Sequence, residues 1–103
     1  MTITLKTLIK LIESVDQNKV IEVSLEKPHS FRGVPSHLAL SMGSPKLVSD
    51  MLIEIKDIVG KTFQGYKDGK YKMTLDTQIH FSYYSSMDEY PENFINFVEA
   101  LFN

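Results

Sequence analysis

The chain has 103 residues, 43% of them hydrophobic and 23% charged, which is the composition of one globular domain and not of a disordered tail. Eleven basic and 13 acidic side chains leave a formal net charge of −2, which argues against the broad basic face that binds duplex nucleic acid. There is no cysteine, so disulfides, thiol catalysis and cysteine-ligated zinc are excluded.

Residues 1–15 are apolar in a helical rhythm broken by Lys6, Lys10 and Glu13. They lack the continuous apolar run of a signal peptide or a spanning helix, so the expected setting is the cytosol, with no membrane partner. Thr4 is the expected N-cap of a first helix whose stripe is Leu5, Leu8, Ile9, Ile12 and Val15. Residues 20–25 alternate as a strand, with Ile21, Val23 and Leu25 on one side. Residues 27–37 hold two prolines and a glycine and are expected to form the longest loop, a length often tied to function. Leu38-Ala39-Leu40 reads as a short strand. Gly43-Ser44-Pro45 reads as a break and a helix start, with Ser44 as cap and Pro45 at the first position. The second helix is expected to turn Val48, Met51, Leu52, Ile55, Ile58 and Val59 inward and to stop at a left-handed Gly60. Asp68-Gly69 signals a two-residue hairpin turn between residues 62–67 and 70–74. Residues 77–84 read as a strand with Ile79, Phe81 and Tyr83 on one face, and residues 85–89 as a loop. Pro91 opens a last helix with a stripe of Phe94, Phe97, Val98 and Leu101. The expected whole is a single α+β domain over residues 1–103, ordered α-β-(β)-α-β-β-β-α. Its helices pack on one face of a mainly antiparallel sheet.

Gly60-Lys61-Thr62 is not a phosphate loop. Ile55 stands where the first glycine would be, and the helix precedes the motif instead of following it. His29, His37 and His80 have no metal-ligand spacing, and His80, opposite in parity to Ile79 and Phe81, reads as solvent-facing. No serine lies in a nucleophile elbow. Glu22, Glu26, Asp68 and Asp76 read equally well as surface or turn residues, so no catalytic set and no cofactor is expected.

Two patterns point to binding. Phe31-Arg32 in the long loop, and Lys61, Phe63, Tyr66, Lys67, Lys70, Tyr71 and Lys72 around the hairpin, combine stacking faces with positive charge. That pairing suits a small anionic ligand such as a nucleotide, or single-stranded nucleic acid, if folding brings Phe31 and Arg32 to the same surface as Tyr66, Lys67 and Tyr71. The plainer reading of the hairpin is alternation, with its aromatics turned into the core. In the last helix, Ile95 and Phe102 widen the stripe beyond one packing face. Phe94, Ile95, Phe97, Val98 and Phe102 are therefore the candidate interface for another protein or for a homo-oligomer.

Ser30-Phe31-Arg32-Gly33, Leu38-Ala39-Leu40, the run from Gly60-Lys61-Thr62-Phe63-Gln64-Gly65-Tyr66-Lys67 through Asp68-Gly69-Lys70-Tyr71-Lys72-Met73, and Asp76-Thr77 resemble small accessory proteins of tailed bacteriophages. A Ser-x-Arg-Gly loop and a Gly-Lys-Thr-Phe-x-Gly-Tyr-Lys-x-Gly-x-Tyr segment recur in those proteins in this order. The resemblance spans about two-thirds of the chain. Val34 and Pro35 stand where the family often has aromatics, and the strand after Thr77 lacks its tryptophan. The resemblance implies a setting, the cytoplasm of an infected bacterial cell, and no specific activity. The expected function is a non-enzymatic phage protein that binds and inhibits a host protein, such as a defence component. The alternative is a nucleotide-binding protein that sequesters or degrades a signalling nucleotide.

Overall fold

The computed structural model describes residues 3–31, 34, 36–64, 69–82 and 91–103. After a two-residue strand β1 (Ile3–Thr4), the first apolar stripe forms helix α1 (Leu5–Glu13), which buries Leu5, Leu8, Ile9 and Ile12. The Thr4 hydroxyl accepts from the Thr7 N–H at 3.2 Å, as the cap pattern requires. Two more of the helix's unpaired N–H groups, those of Leu5 and Lys6, donate to the carbonyls of Thr77 and Leu75.

The strand expected over residues 20–25 breaks at Glu22-Val23 into β2 (Val20–Ile21) and the start of β3 (Ser24–Ser30). The loop expected over residues 27–37 is corrected at both ends: residues 27–30 and 37 are strand. β3 runs to Ser30, and β4 (His37–Gly43) returns beside it. Pro28 and the weak periodicity there belong to a β-bulge. Glu26 pairs with Ser41 and His29 with Ala39, so β3 spends three steps where β4 spends two, and Lys27 takes up the extra residue at φ 53°.

The Ser44-Pro45 helix start is also corrected. Lys46–Leu47 is a strand, β5, paired with β2, and helix α2 (Val48–Asp57) begins after it without a side-chain cap. Its first two N–H groups donate to the carbonyls of Lys19 and Gln17, so backbone from the α1–β2 connection does the capping. Val48, Met51, Ile55 and Ile58 are buried, whereas Val59 is exposed. Gly60 has φ 89°, the left-handed stop expected of it.

β6 (Thr62–Gln64) and β7 (Lys70–Lys72) form an antiparallel ribbon. Gln64 pairs with Lys70 at the end of the described ribbon. The turn expected at Asp68-Gly69 involves residues 65–68, which lie outside the described ones. β8 (Gln78–Ser82) and helix α3 (Pro91–Phe102) complete the chain. Tyr83, and the loop expected over residues 85–89, lie outside the described residues.

The main sheet has the order β1-β8-β4-β3. Its outer pairs are antiparallel and its central pair, β4 with β8, is parallel. The long connection through α2 and the ribbon lets β8 run beside β4 in the same direction. Leu38 pairs with Ile79 and Leu40 with Phe81. These four face one core, shared with Leu5, Leu8 and Ile12 of α1, Met51 and Ile55 of α2, and Phe97 and Leu101 of α3. The chain is thus an α+β domain whose three helices contribute to one core against one sheet face. Burying each of these large side chains contributes about 1.5–3 kcal/mol. Among the described residues no helix is long and apolar enough to cross a membrane.

Candidate binding surfaces

The sheet face turned away from the helices is polar and largely buried. Cross-strand partners share a side, so Glu26 and His29 of β3, His37, Ala39, Ser41 and Gly43 of β4, and Gln78, His80 and Ser82 of β8 all belong to it. The bulge puts His29 there. Without the extra residue at Lys27, the parity of β3 would turn His29 toward the core. All three histidines of the chain therefore meet one face.

His80 is buried at 6% exposure, which corrects the solvent-facing expectation. Phe31, just past β3, lies flat on it, with ring centroids 3.7 Å apart and planes 3° from parallel. His37 Nδ1 lies 2.7 Å from His80 Nε2. A hydrogen bond at that distance needs one nitrogen to donate and the other to accept, so at least one ring is neutral. Burial, and then the charge of His80, hold the His37 pKa below its ordinary value. A reacting atom does not fit between two nitrogens already in contact. Among the described residues no group of three metal-ligating side chains gathers.

His29 Nδ1 lies 2.8 Å from the Lys27 carbonyl. A carbonyl only accepts, so Nδ1 carries the proton. His29 Nε2 and the Ser41 hydroxyl are both buried without a hydrogen-bond partner.

Among the described residues, the aromatic and basic side chains of the ribbon and Phe31 lie on different sides of the main sheet. Arg32, Tyr66 and Lys67 lie outside the described residues. Lys61 is exposed and pairs with Asp57 at 2.6 Å. Tyr71 stands opposite Phe63 across the ribbon, and both pack against the helix-side core, while Lys70 and Lys72 point to solvent. Alternation accounts for that pattern. Phe31 is not part of that core; it covers His80 on the other side of the sheet.

The last helix divides more finely than its sequence stripe. Phe97 is fully buried and stacks with Phe81 at 5.6 Å. Phe94 and Val98 are half-buried against the core, so these three serve the fold. Ile95 and Phe102 remain, 53% and 52% exposed. Seven residues apart, they lie one above the other on the helix. The Lys19 ammonium donates to the carbonyls of Leu101 and Asn103, which brings the start of β2 to the end of α3. There Val20 and Leu47, paired across β2 and β5, are exposed as well.

The histidine face went unseen because alternation gives a side chain's direction and not what covers it. The approach of the start of β2 to the end of α3 depends on the Lys19 contact, which joins residues 82 and 84 positions apart. No family model matches the chain, and no curated protein or solved structure matches it either.

Proposed function

We propose that this chain is an accessory protein of the tailed-phage kind that acts by binding, and that it engages and inhibits a host protein through the outer face of α3. The observation that carries the reading is the exposure of Ile95 and Phe102 on a helix whose inner face is already filled by Phe97 and Leu101. Half-exposed large apolar side chains that do not serve their own core are where a partner gains most from excluding water. The phage setting is supported by the resemblance over the segment from Gly60 to Met73. The test is affinity purification from bacterial cells of the wild-type chain beside the double variant Ile95→Glu, Phe102→Glu. A single host protein retained by the wild type at constant stoichiometry and lost from an equally stable variant supports the reading. Equal retention by both overturns it.

A second reading is favoured by one observation, the flat stack of Phe31 on His80 next in sequence to Arg32. An aromatic pair with the His37 imidazole beside it, followed in sequence by an arginine, suits a planar anionic ligand such as a nucleotide. A thermal-shift screen against linear and cyclic nucleotides tests it, since a ligand of the native state raises the melting temperature. A shift abolished by Arg32→Ala supports this reading, and a flat screen removes it.

A further inference from the structure

Beside the apolar ridge of Ile95 and Phe102, α3 borders a groove of about 440 Å3. Its apolar lining is Val23, Met42 and Ala100. All three asparagines of the helix segment, Asn93, Asn96 and Asn103, line it too, with Glu99. Positions 93, 96, 100 and 103 step by three and four along one side of the helix, so the groove follows the helix axis. From Asn93 to Asn103 that is about 15 Å at 1.5 Å per residue. The volume spread over that length leaves a run for atom centres roughly 6 Å across, enough for a main chain with small side chains. It matches an extended chain of four or five residues at about 3.3 Å each.

The lining chemistry fits the same occupant. A carboxamide offers one acceptor and two donors, which complement the alternating N–H and C=O groups of a peptide backbone. Asn93 is 6% exposed and is held by a bond from its Nδ2 to the Phe81 carbonyl at 3.3 Å, so its position is fixed before any ligand arrives. Among the described lining residues the charge is that of Glu99. Glu99 lines the groove, and Glu22, beside Val23, and Glu92 are exposed nearby in sequence. Among the described lining residues there is no lysine or arginine. Lys19, which reaches the end of α3, has its ammonium engaged by the Leu101 and Asn103 carbonyls.

Resting on the reading that α3 is the partner-binding element, we infer that this groove receives an extended segment of the partner, four or five residues long, with a small apolar centre and basic flanks. The apolar ridge then packs against the partner's body, while the asparagines bond the main chain of the segment. Glu99 selects its charge.

The test is an isotope-edited NMR titration of the whole chain with two acetylated, amidated pentapeptides, Lys-Val-Ala-Val-Lys and Glu-Val-Ala-Val-Glu. The expected result is that the basic peptide, at millimolar concentration, moves the side-chain amide resonances of Asn93, Asn96 and Asn103 and the acidic peptide does not. Asn96→Lys, a change at an exposed helix position, should leave the melting temperature unchanged and abolish the shifts. Equal shifts with both peptides, no shift with either, or shifts surviving in Asn96→Lys overturn the inference. Movement of the same resonances on diluting the protein alone assigns the groove to a second copy and also overturns it. None of these outcomes touches Ile95 or Phe102, so the groove can fail while the α3 reading stands. Loss of the α3 reading shows separately, in equal retention of the host protein by the Ile95→Glu, Phe102→Glu variant.

Discussion

At the scale of single residues, two positions carry sharp expectations. Gly60 sits at φ 89°, and a Cβ built there meets nothing within 4 Å. Any penalty for a side chain is therefore backbone strain and not a clash. Gly60→Val should lower stability by about 1 kcal/mol or more, read as a lower denaturant midpoint with an unchanged slope. Ser41 is the reverse case. Its hydroxyl is buried with no partner and adds the cost of desolvation without a compensating bond. Ser41→Ala should leave the midpoint unchanged or raise it, by up to about 1 kcal/mol; a clear loss of stability would mean that the hydroxyl holds a bond in solution. Gly60 was legible from the sequence because a glycine after an apolar helical stripe has one common use. Ser41 was not, because its burial depends on what lies over a sheet face.

At the scale of elements, the connection between β3 and β4 is fastened to β8 by histidines. Phe31 stacks on His80, and His37 bonds to it. The His37 pKa is lowered in the fold, through burial first and the neighbouring His80 second, from the ordinary 6.5. As the pH falls through about 6.5, the unfolded chain takes up its proton before the folded one does. The contribution of this contact is therefore fully present above that pH and is lost as the pH falls through the lower folded value. An NMR titration should find His37 titrating below 6.5, with the amides of His37 and Gln78 losing exchange protection over the same range. A normal His37 titration with unchanged protection would contradict the assignment. In α3 the two sides separate by size of effect. Phe97→Ala, at a fully buried ring, should cost about 3–5 kcal/mol. Ile95→Glu with Phe102→Glu, at half-exposed positions, should stay within about 0.5 kcal/mol per site. Paired thermal melts check both. The stripe of α3 was readable from residue spacing, but its division into core and outer face required the position of Phe81.

At the scale of the whole molecule, the class and the helices follow from patterning, while the sheet's centre does not. Leu5, Leu8 and Ile12, and likewise Phe97 and Leu101, announce their helices because a 3.6-residue period has few other uses. The parallel pairing of β4 with β8 joins residues about 40 positions apart, and no local signal encodes it. The β3 bulge, read from the sequence as a loop, is what gathers His29 with His37 and His80. The outer face of α3 was legible as an excess of apolar residues, while the groove beside it needed Val23 and Met42 to be brought across from the sheet side. The central claim is that this outer face meets another protein. The most direct measurement places a photo-crosslinking amino acid at position 95 and, as control, at position 53, where Ile53 is 67% exposed on α2. Irradiation in bacterial cells is predicted to give one discrete heavier product from position 95 and none from position 53. No product from position 95, or the same products from both positions, would contradict the account.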